Sequence, residues 1–209
     1  EEYDGSSWTA GGALITARYG LAGAGTQNAG LAFGGLTPAS VPCTEEYDGT
    51  SWTAGGALIT GRRFLAGAGT QNAGLAFGGL TPTPAQSTPL ACTEEYNGTS
   101  WTAGGALITA RYRLAGAGEQ NAALAFGGYA PSGELSCTEE YNGISWSAGG
   151  ALITARDYLA GAGTQNAALA FGGAQPTIAC TEEYNKAPNI NIPTFTYDST
   201  TGDLTATGS

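Results

Sequence analysis

Residues 92–128 read CTEEYNGTSWTAGGALITARYRLAGAGEQNAALAFGG, and nearly the same words run from Cys43 to Gly79 and from Cys137 to Gly173. A copy without its Cys-Thr runs from Glu1 to Gly35, and a CTEEYN fragment closes the series at Asn185. The tryptophans Trp8, Trp52, Trp101 and Trp146 mark the period, with spacings of 44, 49 and 45 residues. Repetition on this scale means that each unit is one supersecondary element whose apolar face is covered by its neighbours. Any functional reading must therefore explain a repeated unit rather than one active site.

Each unit parses into four short strands. In the second, Thr44–Tyr47 reads as a strand and Asp48-Gly49 as a two-residue hairpin turn, since Asp-Gly and Asn-Gly tolerate positive φ. Ser51-Trp52-Thr53 begins the returning strand. After Ala54-Gly55-Gly56 and a connection through Arg62 come LAGAG at 65–69 and GLAFGG at 74–79, joined by Thr70-Gln71-Asn72. Glycine at this density disfavours helix by roughly 1 kcal/mol per residue and suits strands whose backbones approach closely. Between each Gly-Gly pair and the next Glu-Glu-Tyr the chain reads LTPASVP, LTPTPAQSTPLA, YAPSGELS and AQPTIA, which are exposed loops by their proline content and varying length.

The chain has 209 residues, enough to bury a real core, since domains of that size remove roughly 70% of their unfolded surface. Thirty-five glycines and a charged fraction of 11% resemble low complexity, but Leu, Phe, Tyr and Trp recur in every unit and argue for a packed body. Seventeen acidic residues face seven basic ones, for a net charge of −10, which repels a phosphate backbone and argues against a nucleic-acid partner. No apolar run approaches the ~20 residues of a membrane-spanning helix. The chain holds no methionine and starts within a repeat, so it reads as a processed chain or a piece of a longer one.

With Gly78-Gly79, Tyr96, Trp101 and Arg111 in that order, the unit resembles the kelch repeat of β-propellers, the architecture of the central domain of galactose oxidase. In every complete copy Tyr leads Trp by five residues and Trp leads Arg by ten. The resemblance implies an all-β fold, a small kelch-like β-propeller of about four four-stranded blades. Kelch propellers usually have five to seven. The repeats occupy 1–185, with units starting near 1, 43, 92 and 137 and a closing copy at 180–185. A linker and β-hairpin tail occupy 186–209, the hairpin spanning Phe195–Thr207 around Ser199-Thr200-Thr201-Gly202. The last blade lacks its Trp strand, so Ser7-Trp8-Thr9 is expected to close the ring beside Thr181–Tyr184. The tail is similar to a short pattern of bacteriophage tail-fibre proteins, and the repeat wording looks like that of large phage virion proteins. That resemblance implies a phage appendage, and hence an extracellular or virion setting.

The inventory argues against catalysis. The five Glu-Glu pairs are adjacent on strands, so their side chains point to opposite faces instead of across a cleft. One of each pair is expected to be solvated and the other to meet a repeat arginine. Arg18, Arg62, Arg111 and Arg156 themselves are expected to bridge blades through carbonyls or a Glu. Without histidine there is no imidazole metal site and no Ser-His or Cys-His nucleophile, which removes galactose-oxidase copper chemistry. No catalytic, metal or cofactor-binding residue is assigned. Cys43, Cys92, Cys137 and Cys180 share one phase of the repeat and in a ring lie beyond the ~7 Å needed for bridging, so buried free thiols are expected.

The copies differ in two places, the loops after Gly-Gly and the pairs after the repeat arginine, and an up-and-down blade puts both on one side. The candidate ligand-binding residues are therefore Tyr19, Arg63, Phe64, Tyr112, Arg113, Asp157 and Tyr158: rings for contact area, charges for polarity. The expected role is a non-enzymatic structural or binding module of a tail fibre or other virion appendage, facing a host-surface glycan or protein. Other virion subunits and further copies of itself are the expected neighbours. The alternative is a structural subunit of an extracellular filament, assembled by strand pairing between chains.

Overall fold

A computed structural model describes residues 1–81, 88–174, 177, 179–186, 194–197 and 204–207. The chain is all-β, with four blades in a β-propeller arrangement. A short hairpin, β1 (Glu2–Tyr3) and β2 (Trp8–Thr9), comes first. The first blade is β3 (Ala22–Thr26), β4 (Ala29–Phe33), β5 (Thr44–Tyr47) and β6 (Trp52–Ala54). The second is β7 (Ala66–Thr70), β8 (Ala73–Phe77), a rim ribbon of β9 (Leu80–Thr81) and β10 (Thr88–Pro89), then β11 (Thr93–Tyr96) and β12 (Trp101–Ala103). The third repeats this with β13 (Ala115–Glu119), β14 (Ala122–Phe126), β15 (Tyr129–Ala130), β16 (Gly133–Glu134), β17 (Thr138–Tyr141) and β18 (Trp146–Ala148). The fourth has three strands, β19 (Ala160–Thr164), β20 (Ala167–Phe171) and β21 (Thr181–Asn185). In the tail, β22 (Thr194–Tyr197) pairs antiparallel with β23 (Leu204–Thr207), and the turn between them lies outside the described residues.

Every blade is an antiparallel meander in the expected order. Gln71-Asn72 forms the two-residue turn between β7 and β8, and Thr70 faces Ala73 across it. The Asp-Gly turn differs from expectation. Tyr47 pairs with Trp52, leaving a four-residue loop in which Asp48 Oδ1 accepts the N–H groups of Thr50 and Ser51, both at 2.8 Å. Only Gly49 takes positive φ, at 91°. The Asp side chain caps the turn by itself, which removes the need for a tighter one.

The inner strands β3, β7, β13 and β19 lie against one another in chain order, and their glycines set the spacing. A Cβ on Gly67 would stand 2.6 Å from Phe33 Cζ and 2.7 Å from the Gly23 carbonyl oxygen. The large side chain of one blade thus fills the missing side chain of the next. Around that contact Leu31, Phe33, Leu58, Leu65, Tyr96 and Trp101 form one buried cluster spanning two blades, and Leu75, Phe77, Leu107, Leu114, Tyr141 and Trp146 form its copy.

Polar groups tie the blades as well. Trp101 Nε1 donates to Thr44 Oγ1 at 2.9 Å, and Trp146 Nε1 donates to Thr93 Oγ1 at the same distance. Gln71 Nε2 donates back to the Gly30 and Tyr47 carbonyls, at 3.1 and 2.6 Å, and Gln120 and Gln165 repeat the pattern one and two blades on. These glutamines look from sequence like plain turn residues and are in fact ties between blades.

Ring closure does not follow the expected route. Trp8 pairs with Tyr3, and Thr9 with Glu2, inside the first hairpin, while among the described residues β21 pairs only with β20. The inner strand β19 makes no contact with β3 comparable to those between successive blades. A hairpin closed by four residues, with Asp4 Oδ1 accepting Ser6 N and Ser7 N, loses far less chain entropy than pairing the two ends of the array. The hairpin sits where the outer half of a preceding blade would be: the Tyr47 hydroxyl donates to Glu2, and Trp52 Nε1 donates to the Gly12 carbonyl at 3.1 Å.

Candidate functional site

The repeat arginines and acids form the frame on which the variable side chains stand. Arg62 is fully buried; it donates to the Cys92 carbonyl at 2.8 Å and to Glu94 at 3.0 Å. Arg18 with Glu45, Arg111 with Glu139 and Arg156 with Glu182 are the same pair in the other units. Each of these carboxylates also accepts two backbone N–H groups of the connecting loop, as Glu94 does from Ile59 and Thr60. For Glu45, burial pushes the pKa up, but Arg18 and the Ile15 and Thr16 N–H groups outweigh it and hold it below the usual value. The arginines are structural, as their repetition implies. The second Glu of each pair is not simply solvated: Glu46, Glu95 and Glu140 accept the hydroxyls of Tyr96, Tyr141 and Tyr184 from the following unit.

Each arginine is followed by the diversified pair, and there the backbone is strained. Phe64, Arg113 and Tyr158 take positive φ, at 54°, 56° and 53°, where the first unit has Gly20 at 63°. A non-glycine residue in that region costs of order 1–2 kcal/mol and needs support from its surroundings. The support is a ladder about the inner strands: Phe64 N donates to Gly20 O at 2.7 Å, Arg113 N to Phe64 O at 2.8 Å, and Tyr158 N to Arg113 O at 2.9 Å. The repeat aligns these three side chains with Gly20, but only the fold shows that the position takes positive φ.

The ladder brings the candidate residues together. The rings of Tyr19 and Phe64 meet edge to face at 6.4 Å, and those of Phe64 and Tyr158 at 6.0 Å. The Arg113 guanidinium lies 4.3 Å from the Tyr158 ring centre, 4.9 Å from Tyr112 and 5.7 Å from Phe64, and its Nη1 is 3.2 Å from Asp157 Oδ2. Tyr19 and Tyr158 are exposed, whereas Asp157 is only 1% exposed, so it holds Arg113 in place from beneath and does not itself present a charge. Arg63 lies to one side, with Nη1 3.2 Å from Ser40 Oγ and its guanidinium 5.9 Å from the Phe64 ring.

The two variable segments touch, as a meander requires. Single bridges join Tyr19 to Leu36, Arg63 to Leu80, Tyr112 to Tyr129 and Asp157 to Ala174. Between them lies a recess of about 300 Å³, lined by Tyr112, Arg113, Tyr129, Glu134, Asp157 and Tyr158 among others. Tyr129 and Glu134 were not among the sequence candidates. They lie in a variable loop, and only the bridge to Tyr112 shows that it folds over the site. Residues 82–87, 175, 176 and 178 of two other variable loops lie outside the described residues.

The four cysteines are free, but not buried as expected: three are half-buried and Cys180, in the blade with three described strands, is exposed. Burial raises the pKa of Cys92, although the Arg62 guanidinium beside it acts in the opposite sense. Among the described residues no group of three or more Cys, Asp or Glu side chains is placed to hold a metal ion. No family model and no curated protein matches the chain.

Proposed function

We propose that this chain is a non-enzymatic structural and binding module of a virion appendage, of the phage tail-fibre kind, built on kelch-type blades and recognising a glycan or protein of the host surface. The observation that supports this reading is the convergence of the variable residues. Tyr19, Phe64, Tyr112, Arg113 and Tyr158 gather at one side of a uniform scaffold, on strained backbone held by a hydrogen-bonded ladder. Rings around a fixed guanidinium suit a sugar face or a protein hot spot, since they offer area with little entropy to lose.

Binding to an array of bacterial lipopolysaccharides and capsular polysaccharides tests it. Replacing Tyr19, Phe64, Tyr112 and Tyr158 together by alanine should weaken binding by at least about 30-fold, as loss of one hot spot costs ~2 kcal/mol or more. Thr70→Ala with Glu119→Gln, on exposed residues of the opposite turns, serves as control and should change nothing. Binding that survives the aromatic replacement and fails in the control would place recognition on the other face.

A further inference from the structure

The two ends of the array are complementary to each other. In the second and third blades the fourth-strand tryptophan is 5–6% exposed, its ring 5.0 Å from a phenylalanine of the preceding blade: Trp101 on Phe33 and Trp146 on Phe77. Among the described residues the fourth blade has no such strand. In its place is a cavity of about 100 Å³ lined by Phe126, Thr138, Ala168 and Tyr184 among others, and Phe126 and Thr138 are the groups that would stack on a tryptophan and accept its N–H. At the other end Trp8 is 65% exposed and flanked by Ser7 and Thr9, like Trp101 between Ser100 and Thr102.

The blade faces match in the same sense. Leu169 and Phe171 are each 40% exposed, while Leu31, Phe33, Leu75 and Phe77, which fill the same role beneath a following blade, are 0–1% exposed. Those side chains press into glycines of the next blade, with Gly74 so placed that a Cβ would stand 2.5 Å from Leu31 Cδ2. A Cβ on the corresponding Gly23 of the first blade would meet only the Leu31 carbonyl oxygen of its own blade, the atoms nearest one on Gly30 also belong to that blade, and an open recess of about 560 Å³ lies over both. Knobs are bare at one end and notches at the other.

We propose that a second copy of the chain joins the first head to tail, its Trp8 strand completing the fourth blade and its first blade stacking on that blade. The connection from Trp8 to β3 has the same length and nearly the same sequence as that from Trp52 to β7, so seating Trp8 places the second copy's first blade where a fifth would stand. Pairing would set Tyr184 against Trp8, and Gln27 would reach the Ala168 and Tyr184 carbonyls as Gln165 reaches Ala123 and Tyr141. The partner's own β1 must leave β2, and Glu182-Glu183-Tyr184 replaces Glu1-Glu2-Tyr3 with the same side chains, Glu183 taking over from Glu2 at Tyr47. The exchange therefore conserves the strand pairing and adds burial of Trp8, Leu169 and Phe171. Such a contact is heterologous and propagates into rings or filaments. It does not depend on what the variable face binds.

Sedimentation velocity on the 1–209 chain from ~1 to ~200 µM tests this, with two variants that block one end each. Phe171→Arg spoils the knob and Gly23→Lys fills the notch; both sites are open in the single chain, and circular dichroism checks that each variant folds. Leu169→Glu replaces the first if it does not fold, and Gly30→Lys the second. The unmodified chain should show mass rising with concentration, each variant alone should stay at one chain mass, and their mixture should form a 1:1 dimer. Unmodified chain at one chain mass throughout, as an internally closed ring would give, overturns the proposal. So does self-association of either variant alone, which would mean a symmetric contact, or a mixture that remains monomeric.

Discussion

The third and fourth blades have nearly the same sequence and very different surroundings. Leu124 and Phe126 are 1% and 2% exposed, whereas Leu169 and Phe171, their counterparts, are each 40% exposed. Strand lengths, registers and turns hardly differ between β13–β14 and β19–β20. The difference teaches that a unit supplies its own hydrogen-bonded sheet but only half of its own core. The other half comes from the next blade, as in any array where nearest-neighbour contacts carry the stability.

The largest effect that could break this comparison is a cavity. Phe126→Ala should destabilise the chain by roughly 3–5 kcal/mol in urea unfolding, because it empties a contact with the Gly161 notch in the interior. Phe171→Ala, measured at low concentration, should cost roughly 1–2 kcal/mol, since part of that ring is already in water. Equal losses would mean that the fourth blade is covered in solution.

A smaller effect sharpens the comparison, because the tyrosine ties point backward and the end blade keeps its own. Burial and the bond to Glu95 push the Tyr141 hydroxyl up to about 12. The phenol must stay protonated to donate, and an unfolded tyrosine titrates near ~10. The stability it contributes is therefore fully present below about pH 10 and lost as pH rises through about 12. Tyr141→Phe should cost about 1–2 kcal/mol at pH 7 and remove much of that alkaline loss, followed by phenolate absorbance and unfolding midpoints. Tyr184→Phe should cost less, because Lys186 also reaches Glu140, at 2.5 Å.

The smallest effect separates the two ends. Gln120→Ala should cost about 1 kcal/mol by releasing the Gly74 and Tyr96 carbonyls. Gln27→Ala, at an exposed position with no blade behind it, should change stability by no more than ~0.5 kcal/mol in the single chain. If Gln27→Ala destabilises as much as Gln120→Ala, the first blade is covered as well.

Much of the architecture was legible in the repeat. The words TEEY, SW, LAGAG and LAFGG became β5, β6, β7 and β8 in meander order, because turn residues and alternating small and large side chains act within a few positions of themselves. The structural role of the arginines was legible too, since an identical group in every copy serves what every copy shares. So was the side on which variation gathers, because a meander leaves no other place for those connections. The site was legible only in part. Tyr19, Phe64, Tyr112, Arg113 and Tyr158 come together as their phase implies, but nothing in the chain showed that Asp157 is buried under Arg113 or that Tyr129 and Glu134 line the same recess.

What the sequence by itself determined is the blade: its strands, their order, and the phase of every repeated side chain, all set by local propensity and period. What only the tertiary structure decided is the relation between blades. It placed Phe33 in the Gly67 notch and turned the glutamines into ties. It put Phe64, Arg113 and Tyr158 on strained backbone, and it kept Trp8 with Tyr3 instead of at the far end. The physical reason is the range of the forces involved. A hairpin closes over a few residues at small entropic cost, whereas the choice of which apolar face covers which depends on three-dimensional fit between units that the sequence writes in almost the same words.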